Sequence, residues 1–299
     1  MAAPKSDQPP MDSDQKPKGE RIAKVIARAG VCSRRDAERL IAEGRVTVDD
    51  SVLHSPAFTV GPDARITVDG KPLPALEPPR LWRFHKPAGV VTSTRDPAGR
   101  PTIYDRLPAD LPRVMPVGRL DLSSEGLLLL TNDGALKRRL ELPATGWTRR
   151  YRVRVYGRPD PKQLEGLAKG IRIGEATYGP ILATLDSRTG ANAWLTIRLT
   201  EGKNREIRRI CEHLGLRVNR LIRLAYGPFQ LGQLPAGGLE EVPRRVLLDQ
   251  LGEAPKKRKI GTAKAKPRPT KPGDAKRRKA AAKAAREHSK SHADRRGTS

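Results

Sequence analysis

Cysteine and histidine are scarce in this chain. Two cysteines occur among 299 residues, Cys32 and Cys211, and they form no C-x-x-C pair. A disulfide framework and a cysteine-based zinc site are therefore excluded. The five histidines form an H-x-x-x-H pair only in the C-terminal segment, where His288 and His292 lie in a charged run. We therefore expect no bound metal.

Long apolar runs are also lacking. No stretch approaches the roughly 18 apolar residues of a membrane span, and the first twenty residues have no apolar core of a secretory signal. No Walker sequence occurs, and no G-x-G-x-x-G motif follows a predicted strand, which argues against a nucleotide cofactor. We expect a cytoplasmic protein that binds neither a membrane nor a cofactor.

Acidic residues are few relative to basic ones. The chain has 59 Lys and Arg against 33 Asp and Glu, a net charge of +26. After Pro255 there are 17 basic and 3 acidic residues, so the rest of the chain holds 42 against 30 and is itself basic. Charge that served only solubility would not need so one-sided a balance. The distribution predicts a polyanionic partner, and deletion of the C-terminal segment should weaken its salt-dependent binding.

The two ends of the chain have almost nothing to bury. Residues 1–19 are rich in Pro, Asp, Ser, Lys and Gln, and residues 253–299 are rich in Lys, Arg and Ala. These compositions predict a disordered leader at the N-terminus and a disordered basic tail at the C-terminus.

A small basic module follows the leader. In "RIAKVIARAG" apolar residues recur at helical spacing, and Gly30 is predicted to end that helix. In "SRRDAERLIAEGRV" Ser33 is the predicted N-cap, Asp36 completes a capping box, and Gly44 ends the helix. Two short alternating strands come next, with a turn at Asp69-Gly70. Four arginines are predicted to lie on the outside of this module: Arg28, Arg34, Arg35 and Arg45.

The motif G-x-C-S-R-R-x-A-E-x-L-I-x-x-G-R-V in this module resembles the S4 (αL) RNA-binding domain, over residues 20–75. The resemblance implies that the four arginines contact RNA. A solvated helix face is the simpler interpretation, but forked guanidinium groups clustered at a helix start also suit phosphate binding.

Residues 76–80 close a proline-rich spacer, and a larger domain is predicted over residues 81–252. Five segments have the composition or alternation of strands: "LWRFHK", "GLLLLTND", "RRYRVRVYG", "AWLTIRLT" and "VNRLIRLAYGPFQLG". Three segments have the composition of helices: "GALKRRLELP", "DPKQLEGLAKG" and "NREIRRICEHLG". This balance predicts an α+β fold with a mixed, largely antiparallel sheet and flanking helices.

One carboxylate in the larger domain has an unusual setting. Asp121 lies just before four consecutive leucines, in "GRLDLSSEGLLLL". Burial disfavours a charged carboxylate, whereas a guanidinium neighbour keeps it ionised and able to act as a nucleophile or base. "EGKNREIRR" offers Arg205, Arg208 and Arg209 as partners. Taken alone, an Asp in this position is more often a turn or helix-cap residue.

The segment "GRLDLSSEG" fits the R-L-D-x-x-[ST]-x-G signature of pseudouridine synthases. "LLLLTNDG", "RRYRVRV" and "LTEGKNREIRRICEHLG" resemble the branch of that family whose founding member modifies small-subunit ribosomal RNA, over about residues 80–250. The resemblance implies an enzyme that breaks the N1–C1′ bond of a uridine in RNA, turns the base and joins C5 to C1′. It also implies that no cofactor or metal is needed.

The resemblance assigns roles residue by residue. Asp121 matches the catalytic Asp, Tyr151 the aromatic residue that stacks under the base, and Arg208 the basic partner of the Asp. Arg149 stands where many members have Lys, which keeps the charge. The remaining predicted RNA contacts are Arg119, Lys203, Arg205 and an apolar wall from Leu221 or Leu224, between which the sequence does not choose.

The S4-like module, "RDPAGRPTIYDRLP", "NRLIRLAYG" and the basic tail favour the members that act on the large subunit, which implies 23S ribosomal RNA or a pre-ribosomal particle as the partner of a monomeric enzyme. Neither the uridine nor the chemical step of Asp121 follows from the sequence; attack at C1′, addition at C6 and removal of a sugar proton stay open. Two other classes compete with the enzyme. They are a non-catalytic ribosomal-RNA-binding assembly factor and, from the tail alone, a histone-like DNA-binding protein.

Overall fold

The computed structural model describes residues 19–252. The disorder predicted for the leader and the tail falls outside this range, apart from Gly19. Within residues 19–252, no helix has the length and hydropathy to cross a membrane.

The N-terminal module contains two helices and six short strands. The helices are α1 (Ile22–Arg28) and α2 (Arg34–Ala42), and the strands are β1 (Glu20–Arg21), β2 (Val46–Val48), β3 (Ser51–Leu53), β4 (Thr59–Val60), β5 (Ile66–Val68) and β6 (Lys71–Pro72). The sheet order is β3-β2-β5-β6, with β1 and β4 forming a separate pair. The two helices pack on this sheet through a core that includes Ile22, Ile26, Ala37, Ile41 and Val46. The predicted helices and their apolar faces are confirmed.

The start of α2 differs slightly from the predicted capping box. The Ser33 hydroxyl oxygen accepts a hydrogen bond from the Asp36 backbone N–H at 3.1 Å, as expected of an N-cap. The Asp36 carboxylate, however, accepts from the Ser33 hydroxyl at 2.6 Å, and this bond lowers the pKa of Asp36. The Asp side chain is shorter than the Glu of a full capping box, so the local hydroxyl is its partner.

The larger domain is built on one mixed sheet of nine strands. Its strands are β7 (Leu81–Lys86), β8 (Met115–Val117), β9 (Ser124–Thr131), β10 (Arg149–Tyr156), β13 (Ile181–Thr189), β14 (Asn192–Leu199), β15 (Arg217–Tyr226), β16 (Phe229–Gln230) and β17 (Leu239–Glu241), while β11 (Ile171–Ile173) and β12 (Ala176–Tyr178) form a separate hairpin. The main order is β13-β14-β10-β15-β9-β7-β17, with β16 beside β15 and β8 beside β9. The β15–β9 pair is parallel, and the other described pairs are antiparallel. The predicted mixed, largely antiparallel sheet is confirmed.

Helices flank the sheet on both faces. They are α3 (Gly134–Glu141), α4 (Pro161–Gly166), α5 (Glu206–His213) and α6 (Arg244–Leu251), with single 3-10 turns at Tyr104–Arg106, Pro143–Thr145 and Leu167–Lys169. On one face α4 and α5 pack into a core with β10, β14 and β15. On the other face α3 and α6 pack against β7 and β9. Helix α6 was not predicted from the sequence.

Gly126 makes the parallel pairing of β9 with β15 possible. It faces Arg223 in the register, and its backbone has φ +103°. A Cβ atom at this position would lie 2.4 Å from the Arg223 carbonyl oxygen. Because no side chain fits there, the glycine allows the beginning of β9, which follows the loop with Asp121, to lie next to β15.

Candidate active site

A tight loop between β8 and β9 presents Asp121. Leu120 is buried in the core, Arg119 before it is exposed, and the Asp121 side chain is 34% exposed. The Ser124 backbone N–H donates to the Asp121 carbonyl at 3.0 Å, which closes a turn directly before β9. The leucines of β9 are buried on both faces of the sheet. Asp121 therefore lies at the surface because Leu120 and the strand behind it are anchored in the core.

A buried lysine holds the Asp121 loop from below. Lys86, at the end of β7, is 0% exposed. Its ammonium donates to the carbonyl oxygens of Pro87, Asp121 and Ser124 at 3.0, 3.1 and 2.8 Å. Burial lowers the pKa of Lys86 to about 8, against the opposing attraction of Asp121 and Glu125. Lys86 is thus a positioning residue that clamps the backbone on both sides of the Asp121 turn.

The start of α5 faces this loop with two arginines. The Arg205 guanidinium lies 3.8 Å from the Asp121 carboxylate. Arg208, the predicted ion-pair partner, donates to the Ser123 carbonyl at 3.1 Å instead. Burial and the neighbouring Arg205 lower the pKa of Arg208, and Asp121 opposes this effect. Arg205 is thus the arginine within ion-pair distance of Asp121 in this structure, and the pairing of Arg208 with Asp121 stays a prediction.

The loop before α5 is fixed by a buried carboxyl group. Arg205 itself has a left-handed backbone, with φ +50°. The Glu206 carboxylate accepts from the Lys203 backbone N–H at 2.9 Å, and burial raises the pKa of Glu206. The Lys203 ammonium pairs with Glu201 at 2.8 Å and donates to the Thr177 carbonyl at 2.6 Å. These partners direct Lys203 away from Asp121, and its predicted contact with RNA stays a prediction.

Tyr151 and Leu221 lie on the face of the sheet that α5 covers. Both are buried, Tyr151 being 8% exposed, and both belong to the core that contains Leu120. Leu221 is the direct neighbour of Ser124, and Tyr151 is paired with Arg223 one row further along. Leu224 packs instead with the core on the opposite face. The geometry thus favours Leu221 over Leu224 as the apolar wall near Asp121.

A basic depression of about 380 Å³ lies beside the site. It is lined by Arg205, Arg208, Glu212, Gly215, Leu216, Arg217 and Val218. A larger one, of about 620 Å³, lies in the N-terminal module and includes Arg28 in its lining. Within residues 19–252, no group of three or more His, Cys, Asp and Glu side chains is placed to hold a metal ion. The site offers a carboxylate, two guanidinium groups and an apolar wall.

The arginines of the N-terminal module are exposed, but two of them are engaged. Arg45 forms a two-pronged ion pair with Asp69, at 2.7 Å for each nitrogen, and contacts Glu43 at 3.1 Å. Arg28 pairs with Glu20 at 2.7 Å.

Arg34 lies 3.9 Å from Glu38, and Arg35 has no ion pair within residues 19–252. The arginines of this module that are least engaged in ion pairs are therefore Arg34 and Arg35, which lie next to each other at the start of α2. Their contact with RNA is not tested by the geometry and stays a prediction.

Sequence reasoning missed Lys86. The signal was available, because Lys86 occupies the last position of a strand in which the residues on the same face, Trp82 and Phe84, are apolar and buried. A lysine directed into a core requires several acceptors, and only the fold shows that these are the carbonyls of the Asp121 loop.

Two family descriptions match this chain. Residues 20–66 match the S4 domain, and residues 80–213 match the RNA pseudouridylate synthase family. These ranges contain the exposed arginines of α2 and the complete Asp121–Arg205–Arg208 cluster.

Several known proteins are similar along most of their length. An uncharacterized RNA pseudouridine synthase of Rickettsia prowazekii is 45% identical over 77% of this chain and 97% of that protein. The ribosomal large subunit pseudouridine synthase B of Yersinia pestis is 39% identical over 75% of this chain and 73% of that protein. A solved crystal structure of a pseudouridylate synthase superposes with a TM-score of 0.53 and 26% identity, over 77% of this chain and 99% of that one.

Proposed function

The chain belongs to the RNA pseudouridine synthase family, and we propose that it isomerises one uridine of large-subunit ribosomal RNA through Asp121. The substrate follows from the names of three relatives from Yersinia pestis, Pasteurella multocida and Shigella flexneri, each called ribosomal large subunit pseudouridine synthase B. The N-terminal S4 domain supports an RNA substrate independently. In this proposal 23S ribosomal RNA, alone or in a pre-ribosomal particle, is the partner.

The observation that carries the proposal is the placement of Asp121. Its carboxylate is partly exposed, faces a guanidinium at 3.8 Å and stands on a loop clamped by the buried Lys86. The isomerisation breaks the N1–C1′ bond of uridine and forms a C5–C1′ bond, while C5 loses a proton and N1 gains one. A single positioned carboxylate can carry such a reaction as nucleophile or base, because no net oxidation occurs.

The uridine must leave its stack to reach Asp121, at a cost of a few kcal/mol. In this proposal the base stacks on Tyr151, which returns about 1–3 kcal/mol, and Leu221 closes the apolar side of the site. Arg205, Arg208 and Arg119 bind the target nucleotide and its neighbours. The basic depression beside Arg205 then holds a flanking phosphate, because forked guanidinium groups suit phosphate oxygens.

The test is to map pseudouridines in ribosomal RNA from cells that produce the Asp121→Asn variant in place of the unmodified protein. The substitution keeps the shape of the side chain and removes its charge. We expect one pseudouridine of the large-subunit RNA to be lost. The matched control is Asp110→Asn, which removes the same charge from an exposed loop and should leave every site modified.

Two outcomes would contradict the proposal. A lost site in small-subunit RNA would show that the subunit is wrong. An unchanged map would show that Asp121 does not carry the reaction, and it would favour a non-catalytic role in binding ribosomal RNA.

The proposal includes a monomer that acts in the cytoplasm. A single chain supplies Asp121, Tyr151, Arg205 and Arg208, so the site needs no residue of a second copy. Light scattering of the full chain at working concentration should give the mass of one chain, 32.9 kDa, and a dimer mass would refute this part of the proposal.

A further inference from the structure

The sheet of the larger domain has a second face that carries exposed cations and aromatic rings. Along β10, Tyr151, Val153 and Val155 are buried toward α5, while Arg152 and Arg154 between them are exposed on the opposite side. Directly paired residues of neighbouring strands share a face of the sheet. The register therefore shows which side chains of β14 and β15 lie on this second face.

Three rows of the register define this face. Thr196, Arg152 and Ile222 form one row, Trp194, Arg154 and Arg220 the next, and Asn192, Tyr156 and Arg217 the third. Arg198 lies on the same face beside Arg150. We call the exposed residues Arg152, Arg154, Tyr156, Arg198 and Arg217, together with Trp194, the outer sheet face. Arg217, the first residue of β15, is at its edge and also lines the depression beside Arg205.

The outer sheet face combines guanidinium groups with aromatic rings. The Arg152 guanidinium lies over the Trp194 ring at 4.6 Å, and the Arg217 guanidinium over the Tyr156 ring at 5.1 Å. Tyr156 is 49% exposed. Arg154 and Arg198 are exposed and make no ion pair within residues 19–252. Cations and flat rings are thus interleaved on a surface three strands wide.

The two acidic groups beside this face are outnumbered by its four exposed arginines, Arg152, Arg154, Arg198 and Arg217. Glu125 is paired with Arg220 at 2.6 Å, and Asp186 accepts from the Thr196 hydroxyl at 2.8 Å. The helices α3 and α6 cover the part of this side formed by β7 and β9. Over β10, β13 and β14 the side chains of this face are exposed or half-buried. The segment after Pro255 carries the same sign of charge and is no complement to it.

We propose that the outer sheet face is a second RNA-binding surface, on the side of the sheet opposite to Asp121. Unpaired bases stack on exposed rings and on guanidinium planes, while the remaining arginines bind phosphates. A short stem-loop that fills the active site does not extend around the sheet, whereas a longer ribosomal RNA fragment contacts both faces. The proposed surface binds RNA without taking part in the reaction, so its test does not depend on the role of Asp121.

The test is the full chain with Arg154→Glu and Arg198→Glu. The matched control reverses the same two charges at exposed lysines outside the outer sheet face, Lys162→Glu and Lys169→Glu. Binding is measured by fluorescence anisotropy with a labelled long fragment of 23S ribosomal RNA and with a short stem-loop from it. For the first variant we expect about tenfold weaker binding of the long fragment. The plot of log binding constant against log salt concentration should also have a slope shallower by about 1.4, because two phosphate contacts are lost. Binding of the stem-loop should stay unchanged.

The control should bind both RNAs within about twofold of the unmodified chain, since only general electrostatics is altered. Equal losses in the two variants would overturn the proposal, because a general loss of charge would then explain them. Unchanged binding of the long fragment by the first variant would also overturn it. A larger loss toward polyglutamate or duplex DNA than toward RNA would show that the face binds another class of polyanion.

Trp194 gives a second, local readout. Of the three tryptophans, Trp82 is 3% exposed and Trp147 packs against Tyr226 and Phe229. Adding the long fragment should therefore quench the fluorescence of Trp194 in particular. Trp194→Phe should abolish the quenching, and quenching that persists in this variant would contradict the proposal.

Discussion

Replacement of Lys86 by Met is the perturbation whose magnitude can be worked most fully from the structure. Methionine fills a similar volume but cannot donate, so the carbonyl oxygens of Pro87 and Ser124 lose the ammonium donor, while that of Asp121 keeps the Ser124 N–H. An unpaired buried carbonyl costs about 2 kcal/mol, or about 4 kcal/mol for these two. The variant also avoids the free-energy cost of burying an ammonium group. That cost is about 3 kcal/mol, because burial lowers the pKa of Lys86 from 10.5 to about 8.

The expected net loss is therefore about 1 kcal/mol in the free energy of unfolding, measured by urea denaturation. The Asp121 carbonyl also loses its bond to the ammonium group, so the loop that carries the carboxylate should move. A shift of about 1 Å at a catalytic group costs about a hundredfold in kcat. The assay for kcat is release of tritium from RNA labelled at uridine C5.

Lys162→Met, at an exposed lysine of α4, is the matched control and should change neither quantity. Unchanged stability together with unchanged kcat in Lys86→Met would refute the reasoning, since it would show that the three carbonyls do not depend on the ammonium group.

Three further predictions concern the same region. As pH rises through about 8, Lys86 loses a proton and its amine keeps two N–H groups for three close carbonyls, so kcat should fall. Between pH 8 and 10.5 the Lys86 side chain is protonated in the unfolded chain and largely neutral in the folded one, so its contribution to the free energy of unfolding should rise with pH over that range. A fall in the free energy of unfolding over the same range would refute this. Gly126→Ala should cost at least about 3 kcal/mol, because its Cβ would clash with the Arg223 backbone, whereas Gly61→Ala, in open space, should cost almost nothing in the same urea assay. Arg205→Gln should lower kcat only about two- to fivefold, as expected for a half-exposed ion pair, and Arg209→Gln should leave it unchanged; the reverse order would contradict the assignment of Arg205.

Much of the architecture could be predicted from local patterns. The alternation in β10 and the helical spacing in α1, α2 and α5 report burial directly, and each of these elements is present as expected. The helix α6 was missed because its apolar residues pack against β7 and β9, a partnership that only the tertiary structure reveals.

The candidate site was predictable only in part. Asp121 could be found because the segment "GRLDLSSEG" fits the signature of pseudouridine synthases, whereas an acidic residue before a buried strand is by itself a weak signal. The shorter distance of Asp121 to Arg205 could not be predicted, because Arg205 and Arg208 lie within one helical turn of each other. The roles of Lys86 and the outer sheet face depend on strand register, which brings together residues far apart in the chain.

The most direct measurement of the central claim is a single-turnover reaction of Asp121→Asn at saturating RNA, followed by tritium release from uridine C5. Our account predicts that the variant binds the RNA with unchanged affinity and releases no tritium above the rate without enzyme. Release at the rate of the unmodified chain would contradict it.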